Sequence, residues 1–541
     1  MKRFISSPIV ILIVLAAVIS AGWLWFMPGK IGAKLQQAIE LQTGRVLSVN
    51  GGTHLVFAPS WGVALQDVTL PGASAMAEPV LKAKKIIIPV SLLQLVTGQI
   101  NTTQIVMVGA DISVALNGQG HANVLIEPTP DANKADVDAK PGEALQVKIM
   151  SGTFHFSDVR NGNEFLLSDV SADVVYGENL SVRGLALIGN QRLAFDAGIG
   201  SMTRAFGEGS PLDLNVEGLG SSFSFTGRVA TTGSLGLAGQ ATLESADAQR
   251  LFAALGARLE GLEQLKRIYL SGVLDSQGST FSMTKSHLKL GEMNAEGDIS
   301  FSSGNDRPAI VASLAFDQID LHVFEPAAAA MPQGWSEQPF SLRNLAAIDA
   351  AFQVSAKSFT YGPLTLRDVM LSGMLKDRNL KASVKGNDTV KGNLNVDIDF
   401  QSQQLPPTLK LKFDLAGVEA ERYLAVVKQK WMSGLLTLNA DVMTTGESQA
   451  AMVSALSGYV DVGLQGGKLS VAELSDISSA KARFEIRDGI VTLNENDISG
   501  SGEIDLLRRA LAVKFTHQSQ VLQINGPWDA PKISTIAQAM Q

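Results

Sequence analysis

The chain has 541 residues, only 18% of them charged, and a net charge of −8. That length exceeds what one hydrophobic core usually organises, so several domains or an elongated, repeat-like sheet is expected. The mild negative charge and the lack of a basic patch interleaved with aromatics argue against a nucleic-acid binder. The absence of cysteine removes disulfides, thiolate metal sites and a cysteine nucleophile.

Met1-Lys2-Arg3 precedes an uncharged stretch to Gly29, whose strongly apolar part, Pro8–Met27, has the length a helix needs to cross a bilayer. A cleaved secretory signal is the competing reading. Its apolar region would be shorter, and Ile19-Ser20-Ala21 puts a bulky residue where cleavage needs a small one. An uncleaved anchor over residues 1–28 is therefore expected. Lys2 and Arg3 hold its start in the cytoplasm, with Trp23, Trp25 and Phe26 as an aromatic belt at the far interface and the bulk of the chain outside the cytoplasm. Lys30 and Lys34 oppose that charge asymmetry.

Ile31, Leu35, Ala38 and Ile39 then recur at helical spacing up to Thr43-Gly44, a short juxtamembrane helix within a region over 29–126. Short strands punctuated by Gly, Pro and Asn follow. Leu116–Val124 reads as a loop, and the acidic, proline-bearing segment around 127–143 reads as a linker or insertion. The middle region, 144–330, is β-rich, with a helix over Ser245–Arg267 marked by Leu251, Phe252, Leu255, Leu259, Leu262 and Leu265 on one face. Ala327–Phe340 is a second break, and 331–541 is strand-rich again, with helices at Ala420–Gln429 and near Gln449–Leu456.

The clearest periodicity lies in Asn393–Phe400 and Leu409–Leu415. Leu394, Val396, Ile398 and Phe400 share one strand face, as do Leu409, Leu411, Phe413 and Leu415, because successive side chains point to opposite sides. The same alternation recurs in Leu193–Ile199, Leu212–Val216, Ile310–Phe316, Ile348–Val354, Leu436–Val442, Val460–Leu464 and Leu511–Phe515, so a half-buried antiparallel sheet is expected.

Motifs that carry chemistry are weak. Gly29-Lys30 and Gly467-Lys468 lack the hydroxyl residue of a phosphate loop, and Gly118-Gln119-Gly120 opens no helix. Ser282–Lys285 and Ser478–Lys481 have the spacing of a lysine-activated serine without its companion motifs. The six histidines, His54, His121, His155, His287, His322 and His517, are dispersed, so no metal site, cofactor or catalytic residue is expected. Asp397, Asp399 and Asp414 occupy the polar phase of strands, which a solvated sheet face explains. Lys82, Lys84 and Lys85 form a basic knot suited to a charged strand edge or, less commonly, to anionic headgroups.

The two ends are more specific. Thr43-Gly44-Arg45, Leu65–Leu70, Ala83–Gly98 and Gly118–Asn123 resemble the amino-terminal region of the AsmA family. Gly434–Leu464, Gly466–Leu469, Phe484–Thr492, Gly500–Leu506 and Asn525–Ile533 are similar to its carboxy-terminal signature. The resemblance implies a single-pass, inner-membrane-anchored protein of a Gram-negative envelope with its bulk in the periplasm, acting in outer-membrane biogenesis. It further implies an elongated β-groove, taco-like or sandwich-like, that conducts phospholipid without a catalytic residue.

Leu394 to Phe400 and Leu409 to Leu415 are the candidate floor of that groove. The partners expected are phospholipid, the inner membrane and envelope proteins. Two other readings stand beside it: a scaffold or assembly factor for outer-membrane proteins with a closed β core, and a periplasmic hydrolase or carbohydrate-binding β protein.

Overall fold

A computed structural model describes residues 33, 36, 45–56, 62–72, 79–89, 103–117, 123, 144–159, 163–201, 204, 208–230, 236–254, 266–303, 307–321, 334–340, 342, 345, 348–361, 364–388, 392–426, 432–469, 474–496, 500–517, 520–528 and 530–537. The expected anchor, with Trp23, Trp25 and Phe26, lies outside them, as does most of the juxtamembrane helix. Among the described residues no helix is long and apolar enough to cross a membrane. The chain divides into two units, Met1–Arg258 with Val273–Ser279, and Leu259–Gly272 with Thr280–Gln541.

The first unit runs β1 (Ser48–Val49), β2 (Thr53–Val56), β3 (Gly62–Leu70), β4 (Leu81–Pro89), β5 (Gln104–Leu116), β6 (Leu145–Asp158), β7 (Asn163–Tyr176), β8 (Leu180–Ile188), β9 (Gln191–Ile199), β10 (Ser210–Gly218), β11 (Ser221–Ala230), β12 (Gly236–Ser245) and α1 (Ala248–Ala254). Helix α1 is the described part of the helix expected over Ser245–Arg267. Strand β13 (Ile268–Gln277) has residues in both units. β1 and β2 both pair with β3, and each later strand pairs with the one before it up to β12.

Leu65, Val68, Ala83, Ile86, Ala110 and Ile149 form the core of this unit with Val170, Ala172 and Ala186. In β3 and β4 both phases are buried: Val63, Ala64 and Leu65 are 0% exposed, and Ile86, Ile87 and Ile88 no more than 3%. A strand covered on both sides reads as an apolar run instead of an alternation, which accounts for Ile86-Ile87-Ile88.

The second unit runs β14 (Thr280–Leu290), β15 (Met293–Ser302), β16 (Ala309–Asp320), β17 (Asp349–Tyr361), β18 (Leu364–Lys376), β19 (Asn379–Asp388), β20 (Asn393–Gln401), β21 (Thr408–Glu419), α2 (Ala420–Val426), β22 (Met432–Thr445), α3 (Gln449–Ser454), β23 (Ser457–Leu469), β24 (Leu474–Arg487), β25 (Ile490–Asn496), β26 (Gly500–Asp505), β27 (Ala510–His517), β28 (Gln520–Pro527) and β29 (Lys532–Ala537). From β15 onward each strand pairs with its predecessor. The succession is solenoid-like and not the taco expected.

The sheets are also not antiparallel throughout. β5 pairs with β6 in parallel, Gln104 opposite Gln146, and β16 with β17 in parallel, Ala309 opposite Asp349. A parallel neighbour needs a crossover of a dozen or more residues. The two segments read from composition as breaks, 127–143 and Ala327–Phe340, fall inside those crossovers, within the units. Alternation could not show this, since the side-chain period is two for either strand direction.

Each parallel pair is followed by a bulged strand. Asp169 in β7 and Asp368 in β18 have φ 48° and 52°, and the register of each strand shifts there. Asp67 in β3 has φ 51°. All three lie in a Leu-x-Asp-Val sequence. Residues three apart on a regular strand face opposite ways, but the extra residue of a bulge restores the phase. Leu366 and Val369 are thus both buried, at 2% and 5%.

Asp tolerates this left-handed backbone where a β-branched residue does not. Asp368→Val is expected to lower the unfolding free energy by about 1–2 kcal/mol, while Asp368→Gly stays near wild type. Paired urea denaturation curves check both.

Candidate functional site

The eight residues singled out from the alternation meet across one ladder: Leu394 opposite Leu415, Val396 opposite Phe413, Ile398 opposite Leu411 and Phe400 opposite Leu409. Leu415 is 3% exposed. The other seven are half-buried.

Register carries this phase far beyond β20 and β21. From Met283 on β14, successive partners are Ile299, Ala312, Phe352, Gly373, Ala382 and Ile398. From Ile398 they continue as Leu411, Val442, Gly458, Ile486, Val491, Ile504, Leu511 and Gly526 on β28. No polar side chain interrupts the row. Where it reaches Gly373, the Phe352 ring occupies the space a Cβ would need. The next row, from Leu314 on β16 through Val396 and Phe413 to Phe484 on β24, is apolar as well.

The opposite face is wet. Lys381 meets Asp399 at 3.8 Å and Lys412 meets Asp441 at 3.2 Å, while the Arg483 guanidinium donates to both Asp461 oxygens at 2.8 and 3.0 Å. With Lys412 and Asp441 at 65% and 43% exposed, each such pair adds about 0–1 kcal/mol. Two concavities of this unit are lined mainly by residues of this phase: one of about 910 Å³ between Val311, Met374, Lys381 and Lys410, and one of about 650 Å³ around Glu296, Asp317 and Lys357. The Asp317 carboxylate, bonded to Lys357 at 2.8 Å, holds that ammonium above its ordinary pKa.

Two short helices fold onto the apolar side. Tyr423 and Leu424 of α2 pack against the buried cluster of Leu415, Val418, Leu436 and Leu464, as do Leu394, Phe413, Leu438 and Val462. Arg422 Nη1 donates to Asp388 Oδ1 at 2.9 Å, tying α2 to the end of β19; the Asp388 side chain is 0% exposed and that of Arg422 24%. Burial, aided by the charge of Asp388, pushes the Tyr423 phenol up from its ordinary 10.0.

At the other rim, Ser448 caps α3 by accepting from Ala451 N at 3.2 Å. Thr444, opposite Leu409 and so on the apolar side, donates through its hydroxyl to the Met452 carbonyl. Between the helices, Leu409 to Leu415 spans about 20 Å of apolar strand at 3.4 Å per residue. The periodicity of a single strand gave no sign of these rim helices' role.

In the first unit, two motifs far apart in sequence meet. Arg45 donates to the carbonyls of Pro71 and Asn123 at 3.3 and 3.1 Å. Asn123 is 0% exposed; its side chain accepts from Ala115 N at 3.0 Å and donates to Ser113 O at 3.0 Å, acting as an extra rung on β5. Among the described residues no group of three or more His, Asp or Glu is placed to hold a metal.

The model of the AsmA family matches residues 2–159, so the chain is similar to that family over this stretch. The matched stretch contains Arg45 and Asn123. The carboxy-terminal segments that resemble the family, and the apolar rows of the second unit, lie beyond it. No curated protein and no solved structure matches the chain.

Asn123→Ala removes a buried rung and is expected to cost about 1–3 kcal/mol, read from the denaturation midpoint of the full chain. Arg422→Met leaves the buried Asp388 carboxylate without its guanidinium and is expected to cost about 3 kcal/mol or more, read the same way. Because the folded chain holds the Tyr423 proton more tightly than the unfolded chain, its contribution is complete below pH 10.0 and lost as pH rises above it. Tyr423→Phe should therefore flatten the fall in unfolding free energy between about pH 9 and about pH 11.

Proposed function

We propose that this protein is a non-enzymatic factor of envelope biogenesis that binds phospholipid on the apolar face of its second unit and conducts it between inner and outer membrane. Pro8–Met27 would hold it in the inner membrane with its bulk in the periplasm. The observation that carries the reading is the uninterrupted apolar row from Met283 to Gly526, with its central side chains only half-buried.

A face of this kind suits an acyl chain. Each methylene removed from water contributes about 0.8 kcal/mol, and a row of side chains without polar breaks offers the same environment at every step. A chain could shift along it without crossing a polar barrier, while a headgroup stays in water. No convergent set of acids, bases or nucleophiles is required. The similarity of residues 2–159 to the AsmA family supports an envelope role, and the long β-sheets suit it.

The scaffold reading requires a closed core. In a sandwich the inner faces of two sheets cover each other, and Val396, Ile398, Leu411 and Phe413 would be buried as fully as Leu415. Their half-burial favours an open face.

Photo-crosslinking amino acids at Ile398 and Leu411, with Asp397 and Lys412 as controls on the opposite face, test the proposal in intact cells. Lipid adducts at the first pair and not at the second are expected, by mass spectrometry of the purified protein. Adducts confined to the controls, or none at any position, would refute it.

A further inference from the structure

The ladders of the second unit join each strand to its sequence neighbours, so small rotations between strands can accumulate along the sheet. Residues 334–340, part of the crossover from β16 to β17, make contacts of another kind. Trp335 Nε1 donates to Leu506 O at 2.8 Å, in the turn after β26. The Arg509 guanidinium lies 4.7 Å from the Trp335 ring and 5.6 Å from that of Trp528, just after β28. The two indoles meet edge to face at 6.2 Å and 85°.

From there the segment reaches α3, where Ala450 N donates to Ser336 O at 3.0 Å and Ser336 N to Gln449 Oε1 at 3.2 Å. It then reaches the turn after β22, where Phe340 N donates to Glu447 O at 2.8 Å. A stretch that precedes β17 is thus hydrogen-bonded at the ends of β22 and β26 and packed against the ring that follows β28.

We propose that residues 334–340 are a tie that fixes the spacing of these rim turns, and with it the width of the apolar face at the α3 rim. Strand ladders resist separation of neighbours but resist bending weakly. A segment bonded to several distant turns of one rim opposes that bending directly. Trp335 is the anchor, because its indole N–H and its ring contacts with Arg509 and Trp528 act together. The device depends on the geometry of this unit alone, whether or not the face takes lipid.

The absence of native cysteine makes the test direct. Nitroxide labels at Gln403→Cys and Arg508→Cys, both exposed rim positions, report the spacing by pulsed electron paramagnetic resonance on the full chain. With Trp335→Ala added, the distance distribution is expected to broaden and move outward; an unchanged distribution would overturn the tie. Should that variant fail to fold, hydrogen exchange of the native chain decides. The amides of Ser336, Phe340 and Ala450 are expected to exchange at least about tenfold more slowly than unstructured chain, and free exchange at all three would overturn the proposal equally.

Discussion

The constraint on which the second unit depends is that register transmits phase. A strand's side chains alternate strictly, so once Ile398 is set opposite Leu411, every later partner on that row must come from the same face. A slip of one residue anywhere would throw the following apolar residues to the wet side. The chain keeps phase across long connections and irregular strands alike, and the result is one oily and one charged face over many strands.

The irregularities are consistent with that constraint. The bulge at Asp368 adds a residue to β18, after which Leu371 and Gly373 still fall on the apolar rows. The parallel pairing of β16 with β17 reverses strand direction relative to a hairpin, yet Ala312 still meets Phe352 and Leu314 still meets Val354. Gly373 admits the Phe352 ring instead of opposing it. Each departure from a simple meander alters local shape while leaving the face intact.

The rims are governed by polar bonding. Helix α2 is held by a buried ion pair between Arg422 and Asp388, and α3 by the Thr444 hydroxyl and its own cap. Buried charge is costly unless paired and hydrogen-bonded, so the α2 contact specifies one docking position. These helices frame the apolar strand from Leu409 to Leu415. In the first unit, Asn123 and Arg45 perform a similar task beside β5.

The sequence by itself determined which residues share a face. The phase of Leu394, Val396, Ile398 and Phe400, and of their partners on β21, follows from a period of two and needs no tertiary information. The short helices at Ala420 and Gln449 were also legible from spacing. Strand direction was not, because parallel and antiparallel strands alternate alike; nor were the Leu-x-Asp-Val bulges, because a left-handed Asp leaves only a one-residue break in the pattern. Only the tertiary structure decided that rows from separate hairpins align, that Arg422 reaches Asp388, and that Trp335 reaches Leu506. Those outcomes depend on groups 34 and 171 residues apart meeting in space, which no local periodicity encodes.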